Sequence, residues 1–274
     1  MIGYIKETIW KNIVDFDIIQ LIIRSYLLKG LKMRVIVSIA SYDKRISTLY
    51  LCLETIFAQT FKPDKILIYL DKKYEALPFD TKNVEVRFVQ EDLKSHNKYF
   101  YAMQQYPQDI IVTFDDDVLY PHNILSKLVS SYERFPNAVS AGRAHQICFD
   151  STGNIMPYND WMREATIYNQ PRFDLMANGV GGVLYPPNCM SESLFDKNMI
   201  KKLCLYGDDI WLKAMQLIKG TPVVLIKQPH QHPPIIAGTQ ENGLYKVNKL
   251  ECRNDTYIKS VFGKFGLTKE RILL

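Results

Sequence analysis

Three consecutive carboxylates, Asp115, Asp116 and Asp117, follow an apolar, β-branched run at residues 109–114. That run has the composition of a buried strand, whereas a merely solvated acidic turn would not need so apolar a strand before it. Adjacent like charges repel, and carboxylates are costly to bury without a partner. Hard oxygen ligands suit Mg²⁺ or Mn²⁺, and an ion held by one or two carboxylates keeps positions open for phosphates. The pattern therefore predicts a metal and phosphate site at the carboxyl edge of a sheet.

A second acidic pair, Asp208 and Asp209, opens a predicted helix that starts near Tyr206. One aspartate there would act as an N-cap by accepting protons from the first backbone amides. A cap needs only one carboxylate. We favour Asp208 as the cap and Asp209 as the group that faces a substrate.

Three less regular stretches favour contact with a ligand. Glycines within 178–183 let the backbone approach a ligand before a strand leaves, although a turn alone would explain them. Residues 150–172 lack a clean period, and a long irregular segment inside a domain is often a functional loop. His230 and His232 lie in a proline-rich loop at 229–234.

Alternating strands and helices position these groups. Strands are predicted at residues 34–40, 65–70, 84–88, 109–114, 138–141 and 222–226, and helices at residues 46–59, 96–106, 123–135 and 206–215. This alternation predicts an α/β fold with a mostly parallel sheet, helices on both faces and right-handed connections.

Composition narrows the function classes. The net charge of +5 fits an anionic substrate or an acidic membrane surface, and we expect no nucleic-acid partner because no arginine-rich run or nucleic-acid motif accompanies it. The five cysteines are scattered and odd in number, which argues against a disulfide framework or a zinc site. Without a signal peptide or an 18-residue apolar run, we expect a cytoplasmic protein.

The order of these features resembles glycosyltransferase family 2, whose fold is the Rossmann-like GT-A fold. The resemblance covers about residues 34–235 and rests on Ser38–Tyr42, Asp71, the D-x-D triplet Asp115–Asp117, Gly179–Gly182 and the pair Asp208-Asp209. It implies an inverting, metal-dependent transferase that moves a sugar from a nucleotide-diphosphate donor, a UDP-sugar, to a glycan or lipid-linked acceptor in surface polysaccharide synthesis.

The resemblance also implies roles for individual residues. The nucleotide-sugar site would comprise Ser38, Ala40, Tyr42, Arg45, Asp71, Lys98, Asp115, Asp116, Gly181 and Gly182. Within it, Arg45 and Lys98 would face the nucleotide or its phosphates, and Asp71 would accept a hydrogen bond from the base. Mn²⁺ or Mg²⁺ would be held by Asp117 with Asp115, completed by His230 or His232. Asp209 or Asp208 would be the catalytic base.

The resemblance sets the predicted domain limits. Residues 34–240 would be the GT-A catalytic domain, with a nucleotide-binding half at 34–120 and an acceptor half at 121–240. An N-terminal amphipathic helical extension at 1–33 and a C-terminal helical tail at 241–274 would flank it. Both ends are basic and apolar, which favours attachment to the inner face of the cytoplasmic membrane with Phe262 inserted, or packing on the core or in a homodimer.

Two other functions stay open at the level of sequence. A haloacid-dehalogenase-type phosphatase also places a D-x-D motif after an apolar strand, but its nucleophile strand normally comes first, whereas three predicted strands precede Asp115. A non-enzymatic membrane-surface module would leave Asp208, Asp209 and the glycines without a role.

Overall fold

A computed structural model describes residues 33–74, 76–228, 231–239 and 253–273. Its strands are β1 (Val35–Ser41), β2 (Lys65–Leu70), β3 (Glu85–Phe88), β4 (Ile110–Asp115), β5 (Val139–Ala141), β6 (Ala144–Gln146), β7 (Leu175–Ala177), β8 (Val183–Tyr185) and β9 (Val223–Leu225). Its α-helices are α1 (Leu49–Phe57), α2 (Asn97–Gln105), α3 (Ile124–Arg134), α4 (Lys197–Leu203), α5 (Asp208–Lys219), α6 (Arg253–Phe265) and α7 (Lys269–Ile272). Every strand and helix predicted between residues 34 and 226 is present, with ends that differ by a few residues.

The central sheet of the described residues has seven strands in the order β3-β2-β1-β4-β8-β5-β9. Only β8 runs antiparallel to its neighbours β4 and β5, so the prediction of a mostly parallel α/β sheet is confirmed. Strands β6 and β7 form a separate antiparallel pair.

The reversed direction of β8 decides where the glycine stretch lies. Val183, the first residue of β8, pairs with Thr113 near the end of β4 and with Ala141 at the end of β5. The chain therefore enters β8 at the carboxyl edge of the parallel strands, so residues 178–182 lie beside the acidic triplet.

Burial on both faces explains the unbroken apolar runs of the central strands. Ile36, Val37 and Ile39 of β1 are fully buried, as are Val112 and Phe114 of β4. Strands that are covered on both faces are apolar along their whole length and do not alternate apolar with polar residues. The sheet edge is thereby a rigid support for the loops that carry the polar groups.

The C-terminal helices pack on the protein's own core. Ile258, Val261 and Phe262 form one apolar stripe of α6 and are buried in the same cluster as Trp211 of α5. The predicted membrane insertion of Phe262 is therefore wrong, because the side chain is only 3% exposed.

The chain divides into two compact units between Arg34 and Val35. The predicted extension at 1–33 lies, except for Met33, outside the described residues. Among the helices that the structure describes, none is long and apolar enough to cross a membrane.

Candidate active site

The candidate site lies where the parallel strands end. Ala40 of β1 pairs with Asp115 of β4 on one side and with Tyr69 of β2 on the other. Carboxyl ends of parallel strands are the usual ligand edge of open α/β sheets. The residues that follow β1 and β4 therefore meet there, as the sequence predicted.

The middle carboxylate of the triplet has internal partners. Asp116 is 4% exposed and accepts hydrogen bonds from Ser41 Oγ at 2.6 Å and from Arg45 Nη1 at 2.6 Å. Arg45 Nη2 lies 3.0 Å from Asp117 Oδ2, and its guanidinium carbon lies 5.8 Å from the Tyr42 ring centroid. Asp116 and Arg45 thus tie the loop after β1 to the loop after β4, instead of meeting a ligand directly as predicted.

The turn after β4 is held on both sides. The Asp115 amide donates to Tyr120 Oη at 2.8 Å. The Leu119 amide donates to the Pro234 carbonyl at 2.9 Å, and the Ile236 amide donates to the Asp117 carbonyl at 2.8 Å. The late proline-rich segment therefore lies against the triplet, although the two are far apart in sequence.

Of the two histidines predicted to complete the metal site, the structure describes only His232. His232 is exposed, and its Nδ1 lies 3.1 Å from the Pro233 carbonyl in the segment beside the triplet. His230 lies outside the described residues. Within the described ranges, no three histidine, cysteine or acidic side chains are already grouped as a metal site. The described members of the predicted ligand set, Asp115, Asp117 and His232, are thus not preassembled as a metal site.

Lys98 joins the two acidic clusters. Its Nζ lies 2.7 Å from Asp115 Oδ1 and 2.8 Å from Asp208 Oδ2, and its side chain is 7% exposed. Burial alone would lower the pKa of Lys98, but Asp115, Asp208 and Asp209 hold it well above its ordinary value. The lysine predicted to face phosphates is instead a buried ion-pair bridge.

Asp209 points toward the glycine stretch. Its Oδ1 accepts from the Gly179 amide at 3.1 Å, and its Oδ2 lies 3.4 Å from Asn178 Nδ2. A Cβ placed on Gly179 would lie 2.9 Å from Lys98 Nζ, 3.3 Å from Asp115 Oδ1 and 3.4 Å from Asp209 Oδ1. The backbone at Gly179 is therefore where the triplet, the lysine bridge and the second acidic pair come together.

The two adjacent aspartates have opposite pKa shifts. Burial raises the pKa of Asp209, the neighbouring charge of Asp208 raises it further, and Lys98 opposes them, which leaves the pKa at about 7. Burial would also raise the pKa of Asp208, but Lys98 and His96 outweigh it and hold this pKa below the ordinary value. Asp209 is partly exposed, whereas Asp208 is buried. Asp208 pairs with Lys98 instead of capping α5, and the N-cap position is occupied by Gly207.

The glycines of this stretch have separate tasks. A Cβ on Gly181 would lie 2.4 Å from the Arg143 amide nitrogen, and one on Gly182 would lie 2.5 Å from the Phe114 ring. Gly182 also has a φ of +79°, which favours glycine. Gly181 and Gly182, the predicted pocket residues, thus allow close packing of β4, β5 and β8, whereas Gly179 faces the acidic groups.

The predicted nucleotide residues divide into buried and accessible ones. Ser38 is fully buried, and its hydroxyl donates to the Lys98 carbonyl, so it supports the lysine bridge instead of lining a pocket. Ala40, Tyr42 and Asp71 are half-buried at the sheet edge. Asp71 accepts from Tyr74 Oη at 2.9 Å.

Three residues that interact with Asp209 were not among the predicted site residues. Arg143 follows β5, Tyr158 belongs to the irregular loop, and Asn178 precedes Gly179. Asp209 contributes to the electrostatics of both Arg143 and Tyr158. The signal for Arg143 was available, since a basic residue directly after the 138–141 strand must lie at the same edge as Asp115.

The carboxylates suit a divalent cation. Burial raises the pKa of Asp117 to about 6, with Asp115 and Asp116 adding to the rise and Arg45 opposing it. The site holds more carboxyl groups than basic side chains, and the carboxyl groups are all hard oxygen donors. Asp115 and Asp117 therefore fit an ion that takes its remaining ligands from a substrate diphosphate.

Comparisons with known proteins agree with this arrangement. Residues 36–203 match the profile of Glycosyl transferase family 2. No curated protein is detectably similar to the chain in sequence. Among solved structures, the mannosyltransferase PcManGT from Pyrobaculum calidifontis, in complex with GDP-Man and Mn²⁺, is similar in fold with a TM-score of 0.52 and 13% identity. The alignment covers 85% of this chain and 64% of the mannosyltransferase.

Two further structures have lower scores. A CMP:2-keto-3-deoxy-manno-octonic acid synthetase complexed with CTP is 9% identical, with a TM-score of 0.46 and coverage of 81% of this chain and 99% of the synthetase. The 4-diphosphocytidyl-2C-methyl-D-erythritol synthase of Anaerococcus prevotii is 12% identical, with a TM-score of 0.47 and coverage of 76% and 94%. The family profile spans well over half of the chain, across β1, the triplet, the glycine stretch and α4. The alignment spans less than two thirds of the mannosyltransferase's own length. The family profile shows that the chain belongs to glycosyl transferase family 2.

Proposed function

We propose that this glycosyltransferase moves a sugar from a nucleoside-diphosphate donor to an acceptor hydroxyl, with inversion at the sugar carbon. The observation that carries the proposal is the meeting of Asp115, Lys98 and Asp209 around the Gly179 backbone. Asp115, which would hold the metal and the diphosphate, is thus a neighbour of Asp209, which can take a proton. Single-displacement transfer requires such a pair.

The donor half would be built on β1, β2 and β4. The half-buried Tyr42 and Asp71 offer a ring and a carboxylate to the base and ribose at the ends of adjacent strands. Asp115 and Asp117 would hold Mn²⁺ or Mg²⁺, which when bound would neutralise charge on the departing diphosphate. Arg45 keeps the triplet in place through Asp116 and Asp117.

Asp209 would take the proton of the acceptor hydroxyl. As the oxygen attacks the sugar carbon, the bond to the diphosphate breaks and the electron pair leaves with the nucleotide. Lys98 keeps Asp208 charged, and that charge raises the pKa of Asp209 toward neutrality, where a general base is most effective. The Gly179 amide and Asn178 orient the carboxylate.

The donor base and the acceptor are finer parts of the proposal. Asp71 favours a uridine nucleotide, whereas the mannosyltransferase of similar fold was solved with GDP-Man, so both nucleotides belong in a test. We further propose a glycan or lipid-linked acceptor in surface polysaccharide synthesis. This acceptor class is consistent with the basic ends of the chain.

A thermal-unfolding screen tests the donor and the metal together. A ligand that binds only the folded state raises the unfolding temperature. We expect UDP or GDP to raise it with Mn²⁺ and much less without the ion. The matching nucleotide sugars should then release nucleoside diphosphate slowly.

Two results would overturn the proposal. One is the absence of any shift with the nucleoside diphosphates. The other is rapid hydrolysis of p-nitrophenyl phosphate without turnover of nucleotide sugars, which would favour the phosphatase alternative.

A further inference from the structure

Arg143 lies on the acceptor side of Asp209. It follows Gly142 at the end of β5, and its backbone is packed against Gly181. Its side chain is only 16% exposed, and it interacts electrostatically with Asp209 and Tyr158. A mostly buried guanidinium therefore lies close enough to the proposed base to interact with its charge.

This guanidinium is weakly paired. Its Nε has no hydrogen-bond partner among the described residues, and its Nη2 lies 3.5 Å from a carboxylate oxygen of Glu164, whose side chain is 47% exposed. Glu164 also has a φ of +53°, a region that non-glycine residues seldom adopt. The present partner is thus distant, solvated and held on a strained backbone.

The other two basic groups of the site have closer acidic partners, although Arg45 Nε also has no hydrogen-bond partner among the described residues. Arg45 contacts Asp116 and Asp117, and Lys98 contacts Asp115 and Asp208, in each case within 3.0 Å. Burial lowers the pKa of Arg143 and Arg163 of the irregular loop lowers it further, whereas Glu164, Tyr158 and Asp209 only partly offset this. An anion beside Arg143 would relieve both costs.

We propose that Arg143 binds an anionic group on the acceptor, a phosphate or a carboxylate, which replaces Glu164. This inference rests on the proposed function and names the acceptor class of the same site. The planar guanidinium matches both anions through paired N–H donors. Binding there would bring a neighbouring hydroxyl of the acceptor to Asp209, and a neutral sugar would lack this contact.

Binding measurements test the proposal with the donor site filled. Wild-type protein saturated with Mn²⁺ and whichever nucleoside diphosphate stabilises it is titrated calorimetrically with α-D-glucose 1-phosphate, D-glucuronate and methyl α-D-glucoside. We expect one or both anions to bind at least tenfold more tightly than the neutral glucoside. Preference for the phosphate indicates a phosphorylated or lipid-phosphate acceptor, and preference for glucuronate indicates an acidic sugar.

Three variants separate charge recognition from structural damage. Arg143→Gln should weaken anion binding about tenfold or more, as expected when a charged hydrogen bond is lost. Arg134→Gln, on the exposed end of α3, is the matched control and should bind as the wild type does. Glu164→Gln should tighten anion binding, because it removes the competing carboxylate, and it remains informative if Arg143→Gln does not fold.

The proposal is overturned if no anion is preferred over the glucoside, or if anion binding is unchanged in both Arg143→Gln and Glu164→Gln. Failure of the proposed function would appear elsewhere, as an absence of nucleoside-diphosphate binding in the first step.

Discussion

Asp208 and Asp209 are neighbours in sequence but have different electrostatic environments. Lys98 keeps Asp208 charged at 2.8 Å, while burial and that charge make Asp209 harder to ionise. Two carboxyl groups with separated pKa values are typical of sites that divide charge stabilisation from proton transfer. Asp208 therefore raises the pKa of Asp209, the carboxyl group proposed as the base.

Replacing Asp209 tests the proposed base. Asp209→Asn should lower turnover by roughly 10²-fold or more and leave nucleoside-diphosphate binding intact. In the wild type, only ionised Asp209 can accept a proton, so turnover should increase as the pH rises through a pKa of about 7. Nucleoside-diphosphate release measured from pH 5 to pH 9 checks both expectations.

Asp208→Asn serves as the control for this pair. It keeps the base but removes the neighbouring charge that raises the pKa of Asp209. The rise in turnover should therefore shift to lower pH. An inactive Asp208→Asn beside a fully active Asp209→Asn would reverse the two roles.

Asp117 offers a test of the metal site. Because its folded-state pKa is raised to about 6, the folded protein loses stability as the pH rises from about 4 to about 6 and Asp117 ionises. Asp117→Asn removes that charge. At pH 8 the unfolding temperature of the metal-free variant should therefore be no lower than that of the wild type. It should also lose most of its activity and the stabilisation by Mn²⁺ with nucleoside diphosphate, since an amide is a poorer ligand.

Glu133→Gln, which neutralises an exposed carboxylate on α3, is the control and should retain the Mn²⁺ response. If Asp117→Asn responds to Mn²⁺ as the wild type does, the metal assignment is wrong.

At the level of elements, α6 supports both the proposed base and the irregular loop. Tyr257 of α6 packs on Gly207, the residue before Asp208. Asp255 accepts from the Tyr158 amide at 2.7 Å, and Lys269 of α7 lies 5.7 Å from the Phe149 ring centroid. The C-terminal helices therefore fix the start of α5 relative to the irregular loop.

Gly207→Ala tests this support. The new Cβ would lie 2.8 Å from the Tyr257 ring and 2.9 Å from Cys204 Sγ, although a φ of −132° suits alanine. Overpacking should lower the free energy of unfolding by about 1–3 kcal/mol and reduce turnover by displacing Asp209. Urea unfolding and nucleoside-diphosphate release measure the two effects.

Gly263→Ala is the matched control, because nothing lies within 4 Å of its Cβ on the exposed side of α6. It should increase stability by about 0.5–1 kcal/mol through helix propensity and leave activity unchanged. Equal stability changes in the two variants would contradict a specific contact between α6 and α5.

At the scale of the whole molecule, the net charge of +5 is accompanied by basic residues near both ends. In the described part of the tail, Lys264 is exposed and Lys269 is half-buried while the apolar stripe of α6 is buried, so this part supplies charge without an insertion face. Of the two basic, apolar ends, residues 1–33 are thus the candidate for apolar insertion into a bilayer. That segment carries Lys6, Lys11, Arg24 and Lys29 around an apolar run.

Liposome flotation tests attachment through this segment. Each basic residue close to an anionic surface contributes about 1 kcal/mol, and salt screens the attraction. Full-length protein should float with anionic vesicles at low salt, float less at high salt, and stay at the bottom when residues 1–33 are deleted. Failure of the full-length protein to float at low salt would favour the packing or homodimer alternative.

The sequence alone determined the order of strands and helices and the edge where the chemistry lies. Long apolar runs at 34–40 and 109–114 can be stable only as strands buried on both faces, and carboxylates directly after such a run can lie only at its carboxyl end. The aspartates at 115–117 could therefore be assigned to the ligand edge from local pattern, whereas those at 208–209 were joined to them only by the family resemblance.

Only the tertiary structure decided which atoms of that site meet. The reversed strand β8 brings Gly179 to Asp115, and packing turns Lys98 and Asp116 inward, so residues predicted to touch the ligand became internal partners. Phe262 became a core residue because α5 offers a matching apolar face, which a single helix pattern cannot reveal. The strand at 138–141 already indicated the edge for Arg143, but its packing on Gly181 depends on the β5–β8 pairing, a long-range contact that local sequence does not encode.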